Sequence, residues 1–299
     1  MARHHARHDP PVPEEGDRQG VRGGPPGGLP VRLRALTAGV LASAVLLLTG
    51  CAQSVDPIER LGRKAAQRVH PNGPGAQQAY RHWGLSAPLA EAPRRAARPL
   101  TATASGLPAV VDRVRTHDRV VFLTYDDGAE RDPRFVDMVR ELRLPVSMFL
   151  TDSIAGPGYD HFARLRSVGA SLQNHTLDHP SLRGLPYVGQ RAEICGQQEK
   201  LRSRFGLRPR LFRPPYGTYD HATLRAAARC GISTLVLWRV SMGEAGLRYA
   251  WGPHRLLPGD IVAISPDESP APSLGKRTTH LLRRIQEQGL TVARLEDYL

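Results

Sequence analysis

Hydrophobic and polar positions fall into two alternating periods along residues 119–299 and into almost no period before them. Val120–Tyr125 (VVFLTY) is an unbroken run of β-branched and aromatic residues, the pattern of a strand covered on both faces. Pro133–Leu142 sets Phe135, Val136, Val139 and Leu142 on one helical face, with Asp132 placed to cap it. The pattern then repeats. Strands are predicted at Val146–Leu150, Ala170–Asn174, Arg210–Phe212, Ser233–Trp238, Asp260–Ile264 and Thr291–Leu295. Helices are predicted at Tyr159–Val168, Val188–Phe205, Tyr219–Arg229 and Ser273–Gln288. Strand-then-helix units imply an α/β fold on a parallel sheet, either open and doubly wound or closed as a barrel. In both architectures the chemistry gathers at the carboxyl ends of the strands.

The amino-terminal third has a different character. Residues 1–30 hold almost no large apolar side chains and are too polar to bury a core. Arg32 and Arg34 then precede an apolar stretch, Leu36–Thr49, followed by Gly50 and Cys51: a charged region, a hydrophobic region and small residues at a cleavage point. Leu48-Thr49-Gly50-Cys51 resembles the lipobox of bacterial lipoproteins, which implies lipidation at Cys51; the alternative is an ordinary secretory signal with an incidental cysteine. Initiation at Val31 would leave a compact signal. Residues 51–104, rich in Pro and Arg, read as a tether, with room for a short helix at 58–69. The expected organisation is a leader and signal peptide over 1–50, a tether over 51–104 and a folded domain over 105–299. The mature protein is expected outside the cell, held on the membrane through Cys51.

Charge adds an exclusion. The net charge is +13, and 38 of the 41 basic residues are Arg. It is spread as +2 over 1–50, +5 over 51–104 and +6 over 105–299. No lysine-rich stripe or arginine run marks a nucleic-acid surface, so nucleic acid is not an expected partner. An anionic polymer or lipid headgroup is compatible with the excess. With Cys51 set aside, Cys195 and Cys230 remain as an even pair in a compartment that permits disulfides, and a bridge between them is predicted.

Three polar clusters sit at predicted strand ends. The first is Thr124-Tyr125-Asp126-Asp127-Gly128. Two adjacent carboxylates in a dry pocket repel one another, and a metal cation would divide their roles by taking one as ligand and leaving the other as base. The second is Asn174-His175-Thr176-Leu177-Asp178-His179, whose imidazoles, four apart, would share one face of a helical turn. Thr176 could hold this loop by a hydrogen bond, and Asp178 either supports a histidine or is solvated. Two His and one carboxylate form the ligand set of hydrolytic zinc sites, and also of non-haem iron sites. The third is Arg213-Pro214-Pro215-Tyr216-Gly217. Its prolines stiffen the chain and aim the Tyr216 amide as an oxyanion donor, while Arg213 can orient a buried carboxylate.

In this order, TYDDG, HTLDH and RPPYG resemble the polysaccharide deacetylases, the NodB homology or carbohydrate esterase family 4 domain, over about residues 110–299. The resemblance implies a distorted (β/α)7 barrel and a metal-dependent hydrolase that removes N-acetyl, less often O-acetyl, groups from a glycan. It implies Asp126 as catalytic base, Asp127, His175 and His179 as metal ligands, Arg213 positioning the base and Tyr216 supplying the oxyanion amide. Pro215 and Trp238 fall at the substrate pocket, although Trp238 could equally be core. The cofactor implied is a divalent metal, zinc first, with cobalt or another first-row ion as alternatives. The partners implied are an N-acetylated glycan and, through Cys51, the membrane; a monomer is expected.

The chain departs from the family at two places. Where the fourth motif carries an acid beside Trp, this chain has Arg239 after Trp238; where the fifth carries a His, it has Ser265. The family's histidine protonates the leaving amine, and a serine hydroxyl cannot. General acid catalysis contributes about 10²–10⁴-fold, so its loss predicts slowed turnover or, as the alternative, a glycan-binding pseudoenzyme.

Overall fold

The computed structural model describes residues 74–95, 106–264 and 273–299. Cys51, the signal segment, the helix expected at 58–69 and Ser265 lie outside the described residues.

A short strand, Ala109–Val111 (β1), precedes the long Val120–Asp127 (β2). All of β2 up to Asp126 is buried, as its unbroken apolar run requires of a strand covered on both faces. Alternation divides its side chains: Val121, Leu123 and Tyr125 join the core under the helices, and Val120 and Phe122 join the core inside the curved sheet. The chain continues through Pro133–Leu142 (α2, counting Pro74–His82 as α1), Val146–Leu150 (β3), Asp152–Ala155 (α3) and Tyr159–Ser167 (α4). Ser171–Asn174 (β4), Tyr187–Phe205 (α5), Leu211–Phe212 (β5), His221–Arg229 (α6) and Thr234–Val236 (β6) follow. Local chemistry sets these limits. Asp132 caps α2 by accepting from the Arg134 amide at 2.9 Å, and Asp220 and Thr223 form a capping box on α6. Gly206, at φ 66°, ends α5.

The last third holds Val240–Gly243 (β7), Gly246–Tyr249 (β8), Ile261–Ile264 (β9), Leu274–Glu287 (α7) and Thr291–Val292 (β10). Ten strands form one sheet in the order β1-β6-β5-β4-β3-β2-β9-β7-β8, with β10 on the start of β2. Every pairing is parallel except β7 with β8. The expected distorted barrel is therefore a half-barrel. Among the described residues no ladder joins β1 to β8; the segment after β1 meets the start of β9 through the bridge Arg113–Asp260 and the hydrogen bond from Val114 N to Gly259 O at 2.8 Å. β1 pairs over three residues before the chain turns away, which is too short to close a ring.

One expectation needs correction, and one hairpin goes beyond the predicted elements. Residues 74–95 are not free tether: α1 packs on α2, and Leu85 enters the outer core. Arg283 Nε donates to Gly84 O at 2.7 Å, Gln286 Nε2 to Ala87 O at 2.8 Å, and the Thr291 hydroxyl to Ala90 O. Prolines bar a helix there, but side chains of α7 and β10 satisfy the extended carbonyls. Residues 242–249, to which the periodicity assigns no element, form most of the β7–β8 hairpin. Glu244-Ala245 make its turn between Gly243 and Gly246, and Val240 and Met242 face the core.

Register explains where the site falls. Asp127, Leu150, Asn174, Phe212 and Leu235 are partners in one row across five neighbouring strands. The residues that follow them share a single rim.

Candidate active site

Asp126 continues the inward face of β2 that Phe122 and Thr124 begin, so its carboxylate turns into the half-barrel. There the fully buried Arg213 meets it, Nη1 donating to Asp126 Oδ1 at 2.6 Å. The rest of that guanidinium is also occupied: Nε donates to Val236 O at 3.1 Å and Nη2 to Leu237 O at 3.3 Å. Its plane lies over Phe149 at 4.4 Å and Trp238 at 5.4 Å. A buried cation with each of its three nitrogens engaged holds one carboxylate in one place.

Asp127 breaks the alternation because its backbone is left-handed, at φ 66°. Gly128 makes the turn possible: at φ 85°, an added Cβ would lie 2.8 Å from Phe162 and 3.0 Å from Ala155. The Asp127 carboxylate then meets both histidines, with Oδ1 at 3.3 Å from His175 Nε2 and 3.1 Å from His179 Nε2. The HTLDH segment is a loop rather than the helical turn expected from spacing. Thr176 and His179 have φ of 76° and 60°, and the amides that a helix would use internally are taken by side chains. Asn174 Oδ1 accepts from Thr176 N at 3.0 Å, and Thr176 Oγ1 from His179 N at 3.1 Å. Glu193 Oε2 accepts from the amides of Leu177 and Asp178, at 3.1 and 3.0 Å. Thr176 thus holds the loop as anticipated, and the Asp178 side chain is exposed. Glu193 was not foreseen, since its only signal is a carboxylate on a distant helix.

The His175 ring is fixed by its other nitrogen, with Nδ1 2.7 Å from Arg213 O. A carbonyl can only accept, so Nδ1 carries the proton and Nε2 offers its lone pair toward Asp127. Burial opposes ionisation of Asp127, but positive charge beside it, from Arg213 and from the imidazoles whenever they carry a second proton, holds the carboxyl below its ordinary range. Burial lowers the His179 ring in turn, against the pull of Asp127. Asp127 Oδ1 is buried without a hydrogen-bond donor, an arrangement that is costly unless a cation is shared. The three ligand atoms lie within 4.8 Å of one another. A tetrahedral ion with bonds of about 2.0–2.1 Å sets its ligand atoms roughly 3.3 Å apart, so the set fits a divalent metal.

Tyr216 closes the other side. It is left-handed at φ 59°, 64% exposed, and its ring packs edge-on to His179 at 4.8 Å. Its amide donates to none of the described residues, whereas the next one, Gly217 N, donates to Pro214 O at 3.0 Å. A strained backbone with an uncommitted N–H at a polar site is suited to receive developing negative charge. Pro215 is buried beneath it, and Trp238 packs on Gly217, where an added Cβ would lie 3.0 Å from the indole. Trp238 stands beside Arg213 and packs on the inner core.

Arg239 does not stand at this rim. By register Val240 pairs with Val262, which pairs with Leu123, four residues before Asp127. Arg239 is fully buried against Asp260, Nε donating to Oδ1 at 2.6 Å, and donates to the carbonyls of Trp251, Pro253 and Arg255. The predicted Cys195–Cys230 bridge is present, with Cα atoms 5.0 Å apart, and ties α5 to the end of α6.

Comparison with known proteins agrees with this constellation. The polysaccharide deacetylase family model matches residues 113–235. An uncharacterized protein of Streptomyces coelicolor is 55% identical over 276 residues, 90% of this chain and 99% of its own length. Peptidoglycan-N-acetylmuramic acid deacetylase PdaA of Bacillus subtilis is 24% identical, over 62% of this chain and 73% of its own. Among solved structures, a carbohydrate esterase family 4 pseudoenzyme from Bacillus anthracis shares the fold at a TM-score of 0.54 and 18% identity, covering 64% of this chain and 69% of that one. Motif, geometry and family model coincide on the same stretch of sequence, and residues 113–235 form a domain of the polysaccharide deacetylase family.

Proposed function

We propose that this protein is a metal-dependent deacetylase acting on an N-acetylated glycan outside the cell, tethered through lipidated Cys51. The observation that carries the reading is Asp127 Oδ1, buried without a donor and flanked by two imidazole nitrogens. Asp127, His175 and His179 would hold a divalent cation, zinc first by donor set, whose chemistry is Lewis-acid polarisation and a lowered pKa for water. Asp126, held in place by Arg213, takes the proton of an attacking water. The Tyr216 amide donates to the oxygen that becomes negative, and Trp238 excludes water beside it. Family membership supports an acetylated polysaccharide as substrate; the peptidoglycan activity of PdaA makes the cell wall the first polymer to assay.

The test is acetate release from acetylated chitooligosaccharides and peptidoglycan with added Zn²⁺ or Co²⁺, beside elemental analysis of the purified protein. About one divalent ion per chain is expected in the wild type and none in Asp127→Asn, with acetate release falling to background in Asp126→Asn. Equal rates for wild type and Asp126→Asn would reject the enzymatic reading.

A second reading, a weakened enzyme or glycan-binding pseudoenzyme, is favoured by Ser265 at the position of the family's proton donor. Ser265→His separates the two. Faster acetate release in the variant supports a weakened catalyst, and bound metal without release in either protein supports a pseudoenzyme.

A further inference from the structure

A cavity of about 540 Å³ lies away from the Asp127 cluster, between the end of α1, the start of α2 and the first three turns of α7. Arg134, Lys276 and Arg283 line it, with Trp83 and Met138 as apolar wall. Asp132 is the one carboxylate lining it among the described residues, and its Oδ1 is engaged in capping α2. Among the described residues none of the three cations makes an ion pair, and Arg283 uses its Nε on a neutral carbonyl, Gly84 O. Arg134 and Lys276 stand in the first turns of α2 and α7, neither of which carries an acidic residue there. A cation at a helix amino terminus opposes the helix dipole, and here that placement occurs twice facing one cavity. Three cations face the cavity against one carboxylate, Asp132, whose Oδ1 caps α2, and that excess of positive charge suits an external anion. The neighbouring indole is held in position: Trp83 Nε1 donates to Glu141 Oε2 at 2.7 Å, and the His82 ring stacks on it at 4.6 Å.

We propose that this cavity binds an acidic sugar unit, its phosphate or carboxylate group held by Arg134, Lys276 and Arg283 and its ring lying against Trp83. The sugar half of the inference rests on the glycan reading above; the anion half rests on the unpaired cations alone. Such a site would recruit an anionic polymer to a position outside the catalytic rim, and so would select acidic over neutral glycans.

The probe is N-acetylglucosamine 6-phosphate, titrated calorimetrically into the full metal-loaded chain at low ionic strength, beside N-acetylglucosamine and inorganic phosphate. The sugar phosphate is expected to bind at least tenfold more tightly than either component. Arg134→Ala with Lys276→Ala is expected to weaken it at least tenfold, as is the charge reversal Lys276→Glu; both positions are exposed, so the fold is not at stake. His179→Ala is expected to leave this binding unchanged. Equal affinity for the charged and neutral sugars, equal affinity for inorganic phosphate, or undiminished binding in the variants overturns the proposal. Loss of binding in His179→Ala also overturns it, by placing the ligand at the Asp127 cluster. Acetate release from neutral chitooligosaccharides is read separately: its absence with sugar-phosphate binding intact rejects the enzyme alone.

Discussion

The carbonyl oxygen of Arg213 accepts a hydrogen bond from Nδ1 of His175 at 2.7 Å. The guanidinium of the same arginine grips Asp126 at 2.6 Å, so one residue fixes the base with its side chain and a metal-ligand candidate with its backbone. The two halves of the site cannot drift independently.

Arg213→Lys is expected to lower kcat for acetate release by about 10²-fold or more, because a point ammonium cannot reach Asp126, Val236 O and Leu237 O at once. KM is expected to move little, since Arg213 is buried away from solvent. A kcat within threefold of wild type would refute the claim that this fork positions the base.

Arg239 invites a misleading repair. Sequence comparison with the family suggests replacing it by an acid, yet its partner is already the buried carboxylate of Asp260. Arg239→Asp would face two carboxylates in a dry interior and strand the carbonyls of Trp251, Pro253 and Arg255. Breaking a buried pair in this way costs about 3–5 kcal/mol. Urea unfolding is expected to show that loss, with no gain in acetate release; a stable and faster variant would contradict the placement of Arg239.

The periodic part of the chain was readable to within a few residues. β2 and β3 are long apolar runs, and α2 and α6 carry caps, so propensity and tertiary structure agree there. The elements that escaped are those whose partner is remote. β1 is three residues held by β6, and the 84–90 segment owes its order to Arg283, Gln286 and Thr291, about two hundred positions later. At the site, residue types and order were legible, but backbone sign was not: the left-handed turns at Asp127, Thr176, His179 and Tyr216 leave no trace in a pattern of apolar positions. Spacing alone therefore suggested a helical turn where a hydrogen-bonded loop stands.

The Cys195–Cys230 bridge closes a loop of sequence separation 35 and joins two helices that pack side by side. A crosslink over such a loop stabilises by about 2–4 kcal/mol, chiefly by limiting the unfolded chain. At roughly 2–4 °C per kcal/mol for a domain of this size, reduction or Cys195→Ala with Cys230→Ala is expected to lower Tm by about 5–15 °C. The candidate ligands Asp127, His175 and His179 lie on β2 and the loop after β4, so metal content measured on the folded variant is expected to stay at the wild-type value. An unchanged Tm on reduction would show that the bridge is not formed in solution.

His161 is 3% exposed in α4, packed edge-on to Phe162 at 5.3 Å, and neither ring nitrogen has a hydrogen-bond partner among the described residues. Burial, with Arg164 and Arg131 adding to it and Asp132 opposing, pushes its pKa below the ordinary imidazole value of 6.5. The unfolded chain therefore binds a proton at a higher pH than the folded one does. Stability from keeping this ring neutral is fully present above about pH 6.5 and drains away as pH falls toward the folded value. His161→Leu removes both the titration and two unsatisfied nitrogens, so it is expected to equal or exceed the wild type at pH 7.5. Its advantage in thermal or urea unfolding should widen steadily down to pH 5. A difference between the two proteins that stays constant across that range would mean that the His161 ring already finds a proton partner in the folded state.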